Sequence, residues 1–401
     1  MVGYLRGATA TQKPLADLVS MLPALPGVVA TKTELIRFDR RINVLAAPDM
    51  KRLQTEAGYL CPAADPRCDA QESHLDQALA RIAGADANGL SVIVSDLWLT
   101  NSEVQTTEGV ALARPLNDIF ASGRGVAVYG FESPYSGRVY DLPSGSTGVT
   151  ATRRYLFVVA AGPPARLDAF RAAMARAPSA SIQNDLASGR AHYALFTTEP
   201  VKATADGTQA FELPGGGALA RGAFLPVRAG VRIPQFTLDR SAALRAGDAA
   251  PGARWQGVAP ASIRRGAVWE GESAGSTGLF RMSGQACLAD GGDWRADGQF
   301  TGGWQGKDFT LRPGDLATLA SGTYLLVGDV RRTSLQSPNS VTQWLRDWSF
   351  APPGEDAAVR RPVMPTLNLA EVARLMENAL AQAAESRPIR VGGFAAAVQI
   401  K

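Results

Sequence analysis

The chain has 401 residues, too many for one ordinary domain, and a prior of about 150 residues per domain gives two or three. It is 46% hydrophobic and 19% charged, with 41 Gly and 25 Pro, which excludes disorder and a collagen-like repeat. The net charge is only +4, and the basic residues stand singly or in pairs such as Arg153-Arg154 and Arg264-Arg265, so no stripe marks a nucleic-acid surface.

In chain order, the first 180 residues alternate helix and strand patterns. The spacing of Leu15, Leu18, Val19, Leu22 and Leu25 predicts a helix over 11–25, stopped by Pro26-Gly27. Residues 33–46 read as one bent strand or a strand pair. A short helix over 73–83 carries Leu75, Leu79 and Ile82 on one face. The near-continuous apolar run 90–95 ends in Asp96, the mark of a strand buried on both faces. A helix over 110–121 follows, then buried strands over 125–131 and 155–161, then a helix over 164–175. This alternation predicts an open, mostly parallel sheet covered on both faces, a doubly wound α/β domain over 1–185.

From about Tyr193 to Ala351 short β-type runs are separated by Gly-rich turns, the pattern of an antiparallel β-sandwich over 186–352. Within it, 234–238 and 307–311 share a faint Phe-Thr-Leu likeness, too weak for a repeat. The segment 353–401 returns to α and β. Leu369, Val372, Met376, Ala379 and Ala383 line a helix that Asn368 is placed to cap. A strand over 389–400 closes the chain, and this helix and strand are expected to pack back on the rest.

Two histidines, His74 and His192, leave little material for His-based metal or acid–base chemistry; they read as a solvated helix residue and a strand-edge residue. Cys61 and Cys68 flank a Pro-containing loop, and Cys287 stands alone. The pair is not a zinc CxxC; it reads equally as a disulfide, implying an oxidising compartment, or as two unrelated thiols. No apolar run approaches the roughly 20 residues that span a bilayer, and the opening MVGYLRGATATQ does not read as a secretory signal.

Two patterns carry candidate chemistry. Gly271-Glu-Ser273-Ala-Gly275 matches the GxSxG nucleophile elbow, which needs a strand, a sharp turn, a helix, and then Asp and His downstream. The residues after it are poor helix formers and no histidine follows Ser273, so the turn reading outweighs the serine hydrolase. Asp96 is the stronger lead. An acid at the carboxyl end of a central strand faces the crevice where open α/β sheets bind ligands. Ser73, with Thr100, Asn101, Ser102 and Glu103, adds oxygens that suit Mg²⁺, Ca²⁺ or Mn²⁺. The plainer reading makes Ser73 a helix cap and Asp96 a turn residue.

Together, Ser73-x-Leu75-x-x-Ala78-Leu79, the strand ending Val94-Ser95-Asp96, and Gly125-Val-Ala-Val-Tyr-Gly130 resemble the von Willebrand factor A domain, in a bacterial form, over about 180 residues. The resemblance implies a doubly wound fold that recognises other proteins, with Ser73 and Asp96 at two positions of a metal-ion-dependent adhesion site. The D-x-S-x-S signature of that site is absent. In relatives it precedes a Met and a Gly-aromatic pair, and this chain opens Met1-Val-Gly-Tyr4. The reading preferred here is that the sequence starts downstream of the natural start; alternatively, 389–400 fills the place of the first strand in a metal-free variant. The implied function is non-enzymatic protein binding or assembly, with another protein as partner and a structural envelope spacer as a further alternative. No cofactor is expected for the chain as given, and Mg²⁺ only with an upstream signature. Location stays open: extracytoplasmic with an upstream start, otherwise cytoplasmic.

Overall fold

The computed structural model describes all residues except 26–33, 39–41, 46–48, 60–73, 100–106, 140–141, 143–148, 178, 203–210, 214–216, 223–224, 229–230, 248–251, 257–262, 283–293, 301–302 and 307. Ser73, the Thr100–Glu103 oxygens and all three cysteines lie outside the described residues. The chain forms an α/β protein of two units, one of 1–198, 265–268 and 337–387, the other of 199–264, 269–336 and 388–401. Residues 186–198 and 337–352 therefore fall in the first unit, and the final segment is shared between the two.

The first unit is built on a four-stranded sheet of β1 (Ser91–Ser95), β2 (Gly125–Val139), β3 (Val149–Gly162) and β4 (Ala191–Phe196), in the order β1-β3-β2-β4. All three pairings are antiparallel, with Val94 opposite Val158, Gly130 opposite Phe157, and Gly130 opposite His192. The expected mostly parallel sheet is thus corrected. The reason is local: β2 and β3 are consecutive strands paired antiparallel from Gly125 opposite Gly162 to Val139 opposite Val149, so β3 returns alongside β2 in place of crossing over through a helix. Apolar runs buried on both faces look alike in either geometry once helices cover both sides.

Both faces are covered. Side chains at odd positions of β3, Tyr155 and Phe157, meet Trp348 and Trp344, which lie in and just after α7 (Gln343–Asp347), as the ring distances show. Gly130 makes that approach feasible, because a Cβ there would stand 2.5 Å from the Trp348 ring and 2.6 Å from Trp344. Further along this face, Val159 meets α3 (Leu75–Ala83), α4 (Thr107–Ala121) and α8 (Leu369–Ser386), whose leucines enclose a small apolar cavity. On the opposite face Tyr129 packs edge-on against Phe170 of α5 (Pro164–Ala175). Residues 126–129 and 156–161 are almost wholly inaccessible to solvent.

The other elements of this unit refine the sequence pattern. Residues 35–38 and 42–45 form a strand pair. The first expected helix is α2 (Pro14–Met21) with a 3₁₀ turn after it, and it buries Leu15, Leu18 and Met21. An unexpected short helix, α1 (Val2–Arg6), precedes it and lies against the end of β2; a Cβ on Gly3 would stand 2.3 Å from the Tyr135 ring. In α8 all five residues expected to line the helix are buried. Its Glu377, only 3% exposed, accepts hydrogen bonds from Ser337 Oγ at 2.8 Å, Thr342 Oγ1 at 2.5 Å and Arg346 Nη2 at 2.7 Å.

The second unit contains β5 (Phe211–Glu212), β6 (Leu219–Arg221), β7 (Gln235–Leu238), β8 (Ala253–Trp255), β9 (Ser273–Met282), β10 (Trp294–Phe300), β11 (Trp304–Gln305), β12 (Asp308–Leu311), β13 (Gly322–Arg332) and β14 (Arg390–Ile400). They make a six-stranded sheet, β10-β9-β13-β14-β7-β6, and a four-stranded sheet, β11-β12-β8-β5. Pairing is antiparallel except between β7 and β14. Inward side chains of both sheets share one hydrophobic cluster around Trp255, Phe309 and Phe394. The two Phe-Thr-Leu segments are β7 and β12, and their Phe236 and Phe309 both enter it. The closing strand β14 is central to the six-stranded sheet, so it does not fill a place in the sheet of the first unit.

Three donors, one of them the Arg346 guanidinium, converge on the buried Glu377 carboxylate, so its removal leaves a half-buried cation and the Ser337 hydroxyl short of an acceptor, while Thr342 Oγ1 keeps the Asn339 carbonyl at 3.0 Å. Glu377→Ala is expected to lower stability by about 3 kcal/mol, read as a lower urea midpoint. Glu377→Gln should lose less.

Candidate functional site

Asp96 lies directly after β1, at its carboxyl end. The backbone there turns sharply: Leu97 has φ +47°, a left-handed conformation costly for a branched side chain, and its N–H donates to Ser95 Oγ at 3.1 Å. It is Ser95, and not Asp96, that closes this turn. Leu97 itself is 2% exposed and lines the apolar cavity beneath the helices. The residues that follow are tied to the segment before α8. Asn368 Nδ2 donates to the Leu99 carbonyl at 3.0 Å, and Asn368 N donates to the Phe350 carbonyl at 2.9 Å. Asn368 also has a left-handed backbone and makes no side-chain cap to α8, which corrects its expected role.

The charged partner of Asp96 comes from β3. Arg154 Nη1 lies 3.3 Å from Asp96 Oδ2, with the arginine side chain 6% exposed and the aspartate 24%. Three aromatic rings surround the guanidinium: Trp98 at 4.7 Å, Tyr135 at 5.1 Å and Tyr4 at 5.9 Å from its central carbon. Each falls within cation–π range. Tyr4 and Tyr135 meet edge to face at 5.1 Å, and both hydroxyls are used, Tyr4 donating to the Tyr155 carbonyl at 2.6 Å and Tyr135 to the Arg138 carbonyl at 3.2 Å. Burial opposes the arginine charge, but Tyr4, Asp96 and Tyr135 outweigh it and hold the guanidinium pKa above its ordinary value. Burial also pushes the Tyr4 hydroxyl up, so it stays a neutral donor. Two donors in this corner, Arg154 Nη2 and Trp98 Nε1, are buried without an acceptor.

The residues described do not fit a divalent ion. A fixed guanidinium already stands against Asp96, and a second cation there would be repelled at close range. Among the described residues no group of three or more His, Cys, Asp or Glu side chains stands together. Ser273 opens β9 opposite Arg332, and the strand runs on to Met282, so no helix follows it and the elbow geometry is absent. His74 occupies the cap position of α3, 3.6 Å from Asp76 Oδ1. His192 sits on edge strand β4 and packs on Trp344 at 5.5 Å and Trp348 at 4.9 Å.

Sequence reasoning found Asp96 but missed Arg154, Trp98, Tyr135 and Tyr4 as its surroundings. One signal was present: Arg153-Arg154 leads straight into an apolar strand, and strand alternation must turn one of the two inward. Comparison with protein-family models, characterised proteins and solved structures finds no match to this chain.

Two outcomes are expected. Leu97→Gly relieves about 1 kcal/mol of backbone strain but forfeits a buried leucine worth about 3 kcal/mol, so it should destabilise by about 2 kcal/mol in urea unfolding. Burial lowers the His192 pKa from 6.5, although Glu132 and Asp347 pull it back up. The unfolded chain therefore takes up the proton first, so this contribution is present above about pH 6.5 and is lost as pH falls through the folded value. His192→Gln should shrink the stability difference between about pH 7.5 and about pH 5.

Proposed function

We propose that this chain is a non-enzymatic protein-binding or assembly protein, related to the von Willebrand factor A domain through its helix–strand–helix–strand segment α3, β1, α4 and β2. Both β1 and β2 run antiparallel to β3 and so run the same way as each other, which supports that relation for the segment. It does not extend to the sheet as a whole. The second unit is read as a sandwich-like module, since its two sheets share one core.

The observation that carries the proposal is the strained turn after β1, which holds a part-exposed carboxylate against a buried cation. Non-Gly residues at positive φ persist where surrounding structure enforces them, and they concentrate at binding and switch sites. Here Ser95, Asn368 and the Leu97 side chain do the enforcing. The partner is another protein, met by the loops around Asp96; Ser73 belongs to the same reading through the resemblance alone. Among the described residues no helix is long and apolar enough to cross a membrane.

Asp96→Ala separates binding from a spacer role. Affinity capture from the source organism, quantified by mass spectrometry, should lose a defined partner with Asp96→Ala while urea unfolding shows the variant folded. Equal recovery by both proteins removes the binding role. Fluorophosphonate labelling lost on Ser273→Ala would instead establish the hydrolase.

A further inference from the structure

We propose that Arg154 is the resident cation of the Asp96 site, so that the carboxylate is held by a guanidinium in place of a divalent ion and the site works without metal. This rests on the binding reading above only for the use the site is put to.

Arg154 is not placed as a surface ion pair would be. Its side chain is 6% exposed, at the point where its strand passes from the part-exposed Thr152 and Arg153 into the buried stretch 155–161, and three aromatic rings take up the space around it. Burying a guanidinium is costly unless its donors are satisfied. Yet its contact with Asp96 is a single bond at 3.3 Å, not a bidentate fork, and Nη2 finds no acceptor. Packing alone would select an apolar side chain at such a position. What the charge does there is fix Asp96, the one carboxylate paired with it among the described residues, while the rings supply the rest of the cation's environment through their faces. Segment 364–368 completes the enclosure: Met364 N–H donates to the Arg153 carbonyl at 3.0 Å, and Leu99 N–H to the Leu367 carbonyl at 3.5 Å. The positive charge is thus a permanent part of the fold, whereas a bound ion comes and goes with its concentration.

The test is replacement of the cation. In Arg154→Ala the aromatic box and Asp96 remain, and free guanidinium at low, non-denaturing concentration should refill it. The thermal midpoint of the variant should rise by about 2–4 °C relative to equal NaCl. Wild type and Arg154→Ala/Asp96→Asn should show no such rise. A variant that responds no differently from wild type overturns the proposal. Should Arg154→Ala fail to fold, Arg154→Lys keeps the charge and should retain most of the stability, whereas Arg154→Met should not; equal losses overturn the proposal. Independently of any variant, calorimetric titration of the wild-type chain with Mn²⁺ should give no heat of binding, and a micromolar site abolished by Asp96→Asn would overturn the resident-cation role. That last result would leave the partner reading intact, while equal partner capture by Asp96→Ala would sink the partner reading and leave Arg154 as the cation.

Discussion

The pairing of Gly125–Val139 with Val149–Gly162 is the constraint on which the first unit depends. The hairpin is long, and its central residues are buried on both faces, so it cannot shift register without moving apolar side chains from one covering layer to the other. The hairpin then fixes the sense of β1, which pairs with β3, and of β4, which pairs with β2, each through its own apolar run. Each layer of helix docks on a surface this hairpin presents: tryptophans and leucines on the odd side of β3, Phe170 and Tyr4 on the even side.

Arg154 sits where that pairing frays. Between Pro134 and Gly137 the register of β2 slips, and the bulge re-aims Tyr135 toward Gly3 and the arginine. A regular ladder would carry Tyr135 on the sheet's own alternation. The corner is therefore assembled from four separated pieces of sequence: α1 with Tyr4, the turn after β1 with Asp96 and Trp98, the bulge with Tyr135, and the start of the apolar stretch of β3 with Arg154. The energetics are mixed, with cation–π attraction and one ion pair set against two donors lacking acceptors. Such a balance is poor as pure stabilisation. It is better suited to holding a carboxylate in one orientation at a sheet edge.

This also explains what the sequence disclosed. Element positions were legible because burial imposes a period: α8 shows its 3.6-residue stripe, β1 its apolar run, and the second unit its short strands between glycines. Strand direction was not legible, since an apolar run such as 155–161 carries no record of its neighbour's sense; that is set by its antiparallel pairing with the preceding strand, which leaves no periodic mark. Asp96 was legible as an acid ending a buried strand. Its cation was not, because Arg154 is 58 residues away and becomes its neighbour only through β1–β3 pairing. Asn368 read as a cap from its place before the helix, but its amide is spent on Leu99, a contact 269 residues distant.

The chain alternates between its two units, three segments in each, and this bears on how the candidate site is maintained. Helix α8 ends at Ser386 and β14 begins at Arg390, so only three residues separate the helix whose leading Asn368 pins the Asp96 turn from a central strand of the second unit. A fragment ending near 352 would lack both α8 and β14, stripping the tether from the first unit and leaving β13 and β7 of the second without the strand between them. An unpaired pair of central edges exposes ladder groups that otherwise hydrogen-bond. The final segment 353–401 is therefore no appendage to the site near Asp96: its covalent path supplies the residues that hold that turn in place, and the same path completes the second unit's largest sheet.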